Sequence, residues 1–359
     1  MNALFWPLEA GSIVLPNRVV MAPLTRCRAE AGHVPGPLMA EYYAQRASAG
    51  LIVAEATMAM AGNSAFWKEP GIHSEAQIAG WRAVSDAVHA RGGRIVLQIW
   101  HGGRACHPLL NDGAVPVAPS AIPITGEEVH TPEGKKPYTT PRALAAEEIP
   151  AIIEGFAQAA ENAIAAGFDG VEVHGANGYL IDQFLRDGSN LRDDAWGGTR
   201  DKRARLLLEV LEAVCLRVGN DRVGVRLSPL NGFNAMRDSD PVGLTAWLGE
   251  RLNHYRLAYV HLMRADFQGQ QHGEVMAAMR AQYAGVLIGN MGYSPAEADA
   301  AVSEGLLDAV AFGVPYIANP DLVERIQAGA PLAEADPATF YSPGPAGYTD
   351  YPTLTPEAV

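Results

Sequence analysis

The 359-residue chain has few cysteines, and Cys27, Cys106 and Cys215 lie far apart in sequence. They form no CxxC pair and no spacing suited to an iron–sulfur cluster or a structural zinc. Such sparse usage fits a reducing compartment, so a cytoplasmic location is expected. Positive charge is also short. Lys and Arg number 27 against 40 Asp and Glu, a formal net charge of -13. That balance excludes nucleic acid and an anionic membrane surface as expected partners. No apolar run reaches the roughly 20 residues of a membrane span. The opening MNALFWPLEA lacks the basic and apolar regions of a signal peptide. Low-complexity linkers are absent too, so residues 1–359 are expected to form a single domain.

What the chain does have is hydrophobic residues, 48% of the total, arranged in a regular alternation. Residues 4–16 carry a Gly-Ser turn between short apolar pieces, which predicts a hairpin ahead of the main fold. Strands are then predicted at Val19–Pro23, Leu51–Thr57, Arg94–His101, Gly170–His174, Val223–Ser228, Ala258–Met263, Gly285–Asn290 and Ala309–Gly313. Helices are predicted between and after them, at Pro37–Ser48, Ser74–Arg91, 146–166, Thr199–Val218, 241–255, 272–283, 294–305 and Asn319–Ala328. The strands are continuous apolar runs, as expected when both faces are buried. Strict alternation calls for right-handed crossovers and a parallel sheet. A doubly wound open sheet also satisfies alternation. The count of eight, and the lack of GxGxxG after the first strand, favour the α/β class in the form of a closed (β/α)8 TIM barrel. The rhythm breaks once, at the Pro- and Gly-rich residues 102–145, a capping excursion after the third strand. The tail 331–359 is expected to pack on the outside or over the rim, with one of its tyrosines near the pocket.

In such a barrel the site lies at the C-terminal strand ends. The most informative end is FDGVEVHGANGYLIDQFLR, residues 168–186. His174, Asn177 and Tyr179 follow the strand within six positions, with Gly175 and Gly178 between them to allow a sharp turn. An imidazole and a carboxamide donate hydrogen bonds, and a phenol donates a proton. The set suits a substrate oxygen that gains negative charge while a nearby carbon is protonated. Other ends present Pro23, Leu24, Thr25, Ala56, Gln98, Trp100, His101, Arg226, Asn290 and Gly313. Arg226 interrupts an apolar strand and so needs an anionic or polar partner. The glycine turns GNMGYS and GVPYIANPD sit where this fold binds phosphate.

Several stretches together, NRVVMAPLTRCRA, EYYAQRASAGLIVAEAT, LQIWHGGR, EVHGANGYLIDQFL, VRLSP, DAVAFG, IANPDL and YTDYP, occur in an order that resembles the old yellow enzyme family, and its classical bacterial branch in particular. The resemblance covers nearly the whole chain. It implies a barrel that holds FMN, takes hydride from NADPH or NADH, and reduces small electron-poor alkenes such as enones and nitroalkenes. By the same resemblance, His174 and Asn177 grip the activating oxygen and Tyr179 protonates the α-carbon. Pro23, Leu24, Thr25, Ala56, Gln98 and Arg226 hold the flavin. Asn290, Gly292, Gly313 and Val314 lie in the phosphate loops. Trp100 and Phe66 line the substrate side. From its place eight residues past Arg226, and not from the resemblance, Asn234 is also expected to reach substrate. The family commonly carries Arg where this chain has Val314, so a looser grip on the phosphate is expected. Cys27 and Cys106 read as incidental, and no metal is expected. A monomer or homodimer is expected. A different FMN barrel, or a barrel that binds a phosphorylated ligand without turnover, are the other readings open at this point.

Overall fold

The structure is a computed structural model that describes residues 2–354; the end of the predicted tail lies outside them. Eight parallel strands close on themselves: β1 (Val19–Met21), β2 (Leu51–Met58), β3 (Ile95–Trp100), β4 (Gly170–Gly175), β5 (Val223–Leu227), β6 (Tyr259–Met263), β7 (Leu287–Asn290) and β8 (Ala309–Phe312). β8 pairs with β1 through Val310↔Val19 and Phe312↔Met21. Closure rules out the open doubly wound sheet. Every residue of the eight strands is buried, as the apolar runs require.

Helices alternate with the strands as α1 (Pro37–Gln45), α2 (Glu75–His89), α3 (Ile149–Ala165), α4 (Arg200–Val218), α5 (Pro241–Leu252), α6 (Val275–Gln282), α7 (Pro295–Ser303) and α8 (Leu322–Ala328). Their starts follow local chemistry. Ser74 and Gln77 form a reciprocal capping box at α2, and Ser294 and Glu297 form another at α7. Pro opens α1, α5 and α7, where a missing N–H costs nothing. The predicted hairpin is present as Leu8–Ala10 paired with Ile13–Leu15.

Some boundaries differ. The last helix begins at Leu322 rather than Asn319, because Asn319 precedes Pro320 and is held out of the helical region, at φ -127° and ψ 84°. Its carboxamide instead donates to the Pro315 and Ala333 carbonyls. Two short helices, Leu180–Leu185 and Val314–Ala318, were not expected. The excursion 102–145 forms 3-10 turns, a two-residue pairing of Val117–Ala118 with Arg142–Ala143, and a hairpin of Glu128–Thr131 with Gly134–Pro137. Its Ala105 and Ile124 pack with Trp100 and Tyr179.

β2 carries an irregularity: Ala54 opposes Leu97, yet Thr57 opposes Ile99, so three residues advance against two. The extra residue redirects the strand end. Glu55 is buried, accepting from the Tyr43 hydroxyl and the Arg26 N–H. Glu69, in the loop that follows β2, is buried as well and accepts from the N–H groups of Ala65 and Phe66. Burial pushes Glu55 up to about 7 and Glu69 up to about 8, from an ordinary value of 4.5. Between the ordinary and the raised value the folded chain holds protons that the unfolded chain has lost. Stability contributed by these acids is therefore lost as pH rises from about 4.5 through about 8. Glu69→Gln removes one of the two ionisations and keeps one acceptor oxygen. Thermal melts from pH 6 to 9 are expected to show a smaller drop for the variant than for the parent; parallel drops would mean that Glu69 does not titrate in this window.

Candidate active site at the C-terminal strand ends

The β4 end turns sharply because two consecutive residues are left-handed, Asn177 at φ 58° and Gly178 at φ 74°. Asn tolerates this region better than most side chains. Gly178 has no substitute: a Cβ there would lie 2.7 Å from the Asn234 Cβ and 2.8 Å from the Phe233 carbonyl oxygen. The turn is pinned on both sides. Asn177 N–H donates to Ser228 Oγ at 2.7 Å, and Gly178 N–H donates to Asp182 at 2.8 Å. Asp182 in turn holds Arg186 at 2.9 Å, both buried.

The result is that His174, Asn177 and Tyr179 all line one cavity of about 290 Å3. Pro23, Leu24, Thr25, Ala56, Gln98, Arg226, Phe66 and Val314 line the same space. The Tyr179 ring meets His174 edge-on at 5.2 Å and Trp100 edge-on at 4.3 Å. Burial is the main cause that pushes the Tyr179 phenol well above its ordinary value, so it stays protonated across the neutral range. Burial, helped by Arg226 and His261, holds His174 well below its ordinary value, so its imidazole is neutral. Its Nδ1 is buried without a protein partner among the described residues.

Beneath the cavity lies a buried polar layer. Glu172 accepts from Gln98 Nε2 at 2.7 Å and from His261 Nδ1 at 2.9 Å. Burial alone would raise Glu172, but His261, Arg226 and Gln98 outweigh it and hold the carboxyl below its ordinary value. Because a carboxylate can only accept, it fixes the Gln98 carboxamide with nitrogen inward, leaving the oxygen as the unengaged acceptor. Arg226 donates to Asn290 Oδ1 at 2.9 Å, while its Nε is buried without a partner among the described residues. Glu172 and His261 escaped the sequence reading. The signal was available, since Glu172 interrupts an apolar strand as Arg226 does.

Five expected site residues stand elsewhere. Trp100 is fully buried and does not line the cavity; Tyr179 and Phe66 cover it, at 4.3 and 6.0 Å between rings. Asn234 is also fully buried, and its Nδ2 donates to the Asn177 carbonyl at 2.9 Å, so it holds the turn instead of facing the cavity. The Asn290 carboxamide is spent on Arg226 and on the Ala311 carbonyl. Gly292 and Gly313 are outside the lining. Gly292 follows Met291 in a left-handed pair, φ 69° and 90°, held by Arg264, which donates to both carbonyls. Phe233, Phe267, Phe340 and Tyr341 line the cavity without having been singled out, apart from a tail tyrosine at the rim. Tyr341 stacks on Phe66 at 6.1 Å. The tail reaches the rim because Arg26 and Arg28 donate to the carbonyls of Phe340, Thr339 and Gly347.

Comparison with known proteins agrees with this geometry. Residues 3–333 match the NADH:flavin oxidoreductase / NADH oxidase family. A probable flavin mononucleotide-dependent alkene reductase of Leishmania infantum is 50% identical over 99% of this chain and 98% of its own. 12-oxophytodienoate reductase 7 of Oryza sativa subsp. japonica is 44% identical over 98% of this chain and 94% of its own. The old yellow enzyme from Trypanosoma cruzi superposes with a TM-score of 0.96 at 46% identity, covering 98% of this chain and 99% of that one. Morphinone reductase in complex with tetrahydroNAD superposes at 0.94 with 47% identity and covers 98% of both chains. With likeness of that degree along its whole length, and a barrel mouth lined by the residues its motifs single out, the chain belongs to the old yellow enzyme family of FMN-dependent NADH:flavin oxidoreductases.

Proposed function

We propose that this enzyme reduces the activated C=C bond of small α,β-unsaturated carbonyl or nitro compounds, with NADPH or NADH as hydride donor. The single observation that carries the reading is the convergence of His174, Asn177 and Tyr179 on one cavity. The residues present fit FMN. The buried Arg226 guanidinium has an unpartnered Nε, and the Gln98 carboxamide is held with its oxygen free, a donor and an acceptor suited to the polar edge of the ring. FMN bound there would supply the hydride chemistry, accepting from the nicotinamide and giving to the β-carbon of the alkene.

Arg226 and Gln98 would hold its pyrimidine side, and Thr25, with Pro23, Leu24 and Ala56, would seat the ring. Neutral His174 and Asn177 donate to the substrate oxygen as negative charge builds on it. Tyr179 Oη–H donates its proton to the α-carbon on the same substrate. The raised phenol suits that role: it keeps the proton at neutral pH and releases it only to a strongly basic carbon. The rim from Phe66, Phe233, Phe267 and Tyr341 is aromatic, which favours uncharged, apolar alkenes. The excursion 102–145 and the tail act as cover over a single barrel unit. Three free cysteines support a cytoplasmic setting.

Three measurements test the assignment. Tyr179→Phe is expected to slow reoxidation of the reduced enzyme by cyclohexenone on the order of 100-fold. Its reduction by NADPH should stay near the parental rate; equal loss in both half-reactions would remove Tyr179 as proton donor. His174→Ala is expected to weaken binding of 4-hydroxybenzaldehyde roughly tenfold, the cost of one hydrogen bond to a charged oxygen; unchanged affinity would count against the oxygen-gripping role. Val314 is 55% exposed at the mouth and offers no charge. Val314→Arg should tighten FMN by about tenfold, the worth of a charge-assisted hydrogen bond to phosphate, read as the dissociation constant from the apoprotein. No change would place the phosphate away from position 314.

A further inference from the structure

We propose that Asn231 is a positioning residue that orients the Asn177 carboxamide, so that its NH2 and not its oxygen faces the substrate. The inference rests on the reading that Asn177 grips the substrate oxygen. An amide can present either end, and its two ends differ chemically, not in shape. Something must choose. Asn231 is fully buried, and its Oδ1 lies 3.4 Å from the Phe233 nitrogen and 3.3 Å from the Phe267 nitrogen. Both partners are backbone N–H groups, which only donate, so the Asn231 oxygen must face them. Its Nδ2 then points the other way and donates to Asn177 Oδ1 at 2.9 Å. With that oxygen engaged, Asn177 Nδ2 remains, and among the described residues nothing accepts from it.

The rest of Asn177 is also committed. Its N–H donates to Ser228 Oγ at 2.7 Å, and its carbonyl accepts from Asn234 Nδ2 at 2.9 Å. Asn231 is itself braced: its carbonyl accepts from Arg186 at 2.9 Å, and its N–H donates to the Ser228 carbonyl at 3.0 Å. Polarity is thus relayed in one direction, from two backbone donors through two amides to the cavity. The reversed chain would set an NH2 against two N–H donors and leave the Asn177 oxygen facing a substrate oxygen. The backbone donors belong to Phe233 and Phe267, which meet edge-on at 6.2 Å and line the mouth. The group that orients the grip therefore also ties down one wall of the entrance, together with Asp266, which accepts from Gly232 at 2.7 Å.

The test uses the FMN-loaded enzyme, with 4-hydroxybenzaldehyde as the oxyanion probe and cyclohexenone as the substrate. N231D keeps an acceptor for the two backbone donors but, once ionised, has no hydrogen to give to Asn177. N231L supplies no donor at any pH. Both are expected to lose about tenfold in probe affinity and to slow cyclohexenone reoxidation, while the rate of reduction by NADPH stays parental. The N231D loss should shrink as pH falls from 9 to 6 and the new carboxyl regains a proton to donate. On an N177A background, N231D should add no further loss. N177H in the N231D enzyme should restore affinity, because an imidazolium, kept charged by the neighbouring carboxylate, can donate to that carboxylate with one nitrogen and to the substrate with the other. Parental affinity in both N231D and N231L, alongside a loss in N177A, would overturn the role of Asn231. Parental affinity in N177A would instead remove the reading of Asn177 on which it rests.

Discussion

Closure of the strand ring is the constraint on which the site depends. β1 and β8 are nearly 300 residues apart, yet they pair residue for residue at Val310↔Val19, Ala311↔Val20 and Phe312↔Met21. Once they do, all eight strands run in one direction and their C-terminal ends meet at one mouth. Thr25 after β1, Gln98 on β3, His174 on β4, Arg226 on β5 and Val314 after β8 then face a common cavity. A sheet left open at that seam would keep each residue's local structure and lose the site.

A buried charge layer inside the ring is the second element. Taking Glu172 and Arg226 out of water separately would be costly. The structure avoids that by placing them on neighbouring strands in adjacent registers, with Gln98, His261 and Asn290 completing their hydrogen bonds. The carboxylate consumes donors and thereby orients Gln98; Asn290 consumes one edge of Arg226 and leaves Nε open. The same logic operates at the rim, where fixed backbone donors set the direction of the Asn231 and Asn177 amides. In both places the useful end of a polar side chain is selected by satisfying its other end.

Much of this was legible beforehand. The eight strands and eight helices could be read from apolar runs, caps and Gly or Pro punctuation, since those depend on neighbours within a few residues. The His174, Asn177 and Tyr179 set was legible because a single turn carries all three. What was not legible involves partners distant in sequence. Trp100 reads as a cavity residue by its place at a strand end, but Tyr179 and Phe66, from two separate loops, bury it. Asn234 reads as a polar group near the pocket, but it is taken up by the Asn177 carbonyl. The short helices Leu180–Leu185 and Val314–Ala318 were missed because each spans less than two turns, too short to show a helical repeat in the sequence.

The amino-acid sequence by itself determined the alternation, the closed parallel barrel as the favoured arrangement, and the chemical character of the site, because periodicity, capping and residue type are local properties. Only the tertiary structure decided which groups face the cavity, which are neutral, and which end of each amide is free. Those outcomes depend on burial and on the donors and acceptors that arrive from other strands, and a linear chain does not specify such neighbours until the ring has closed.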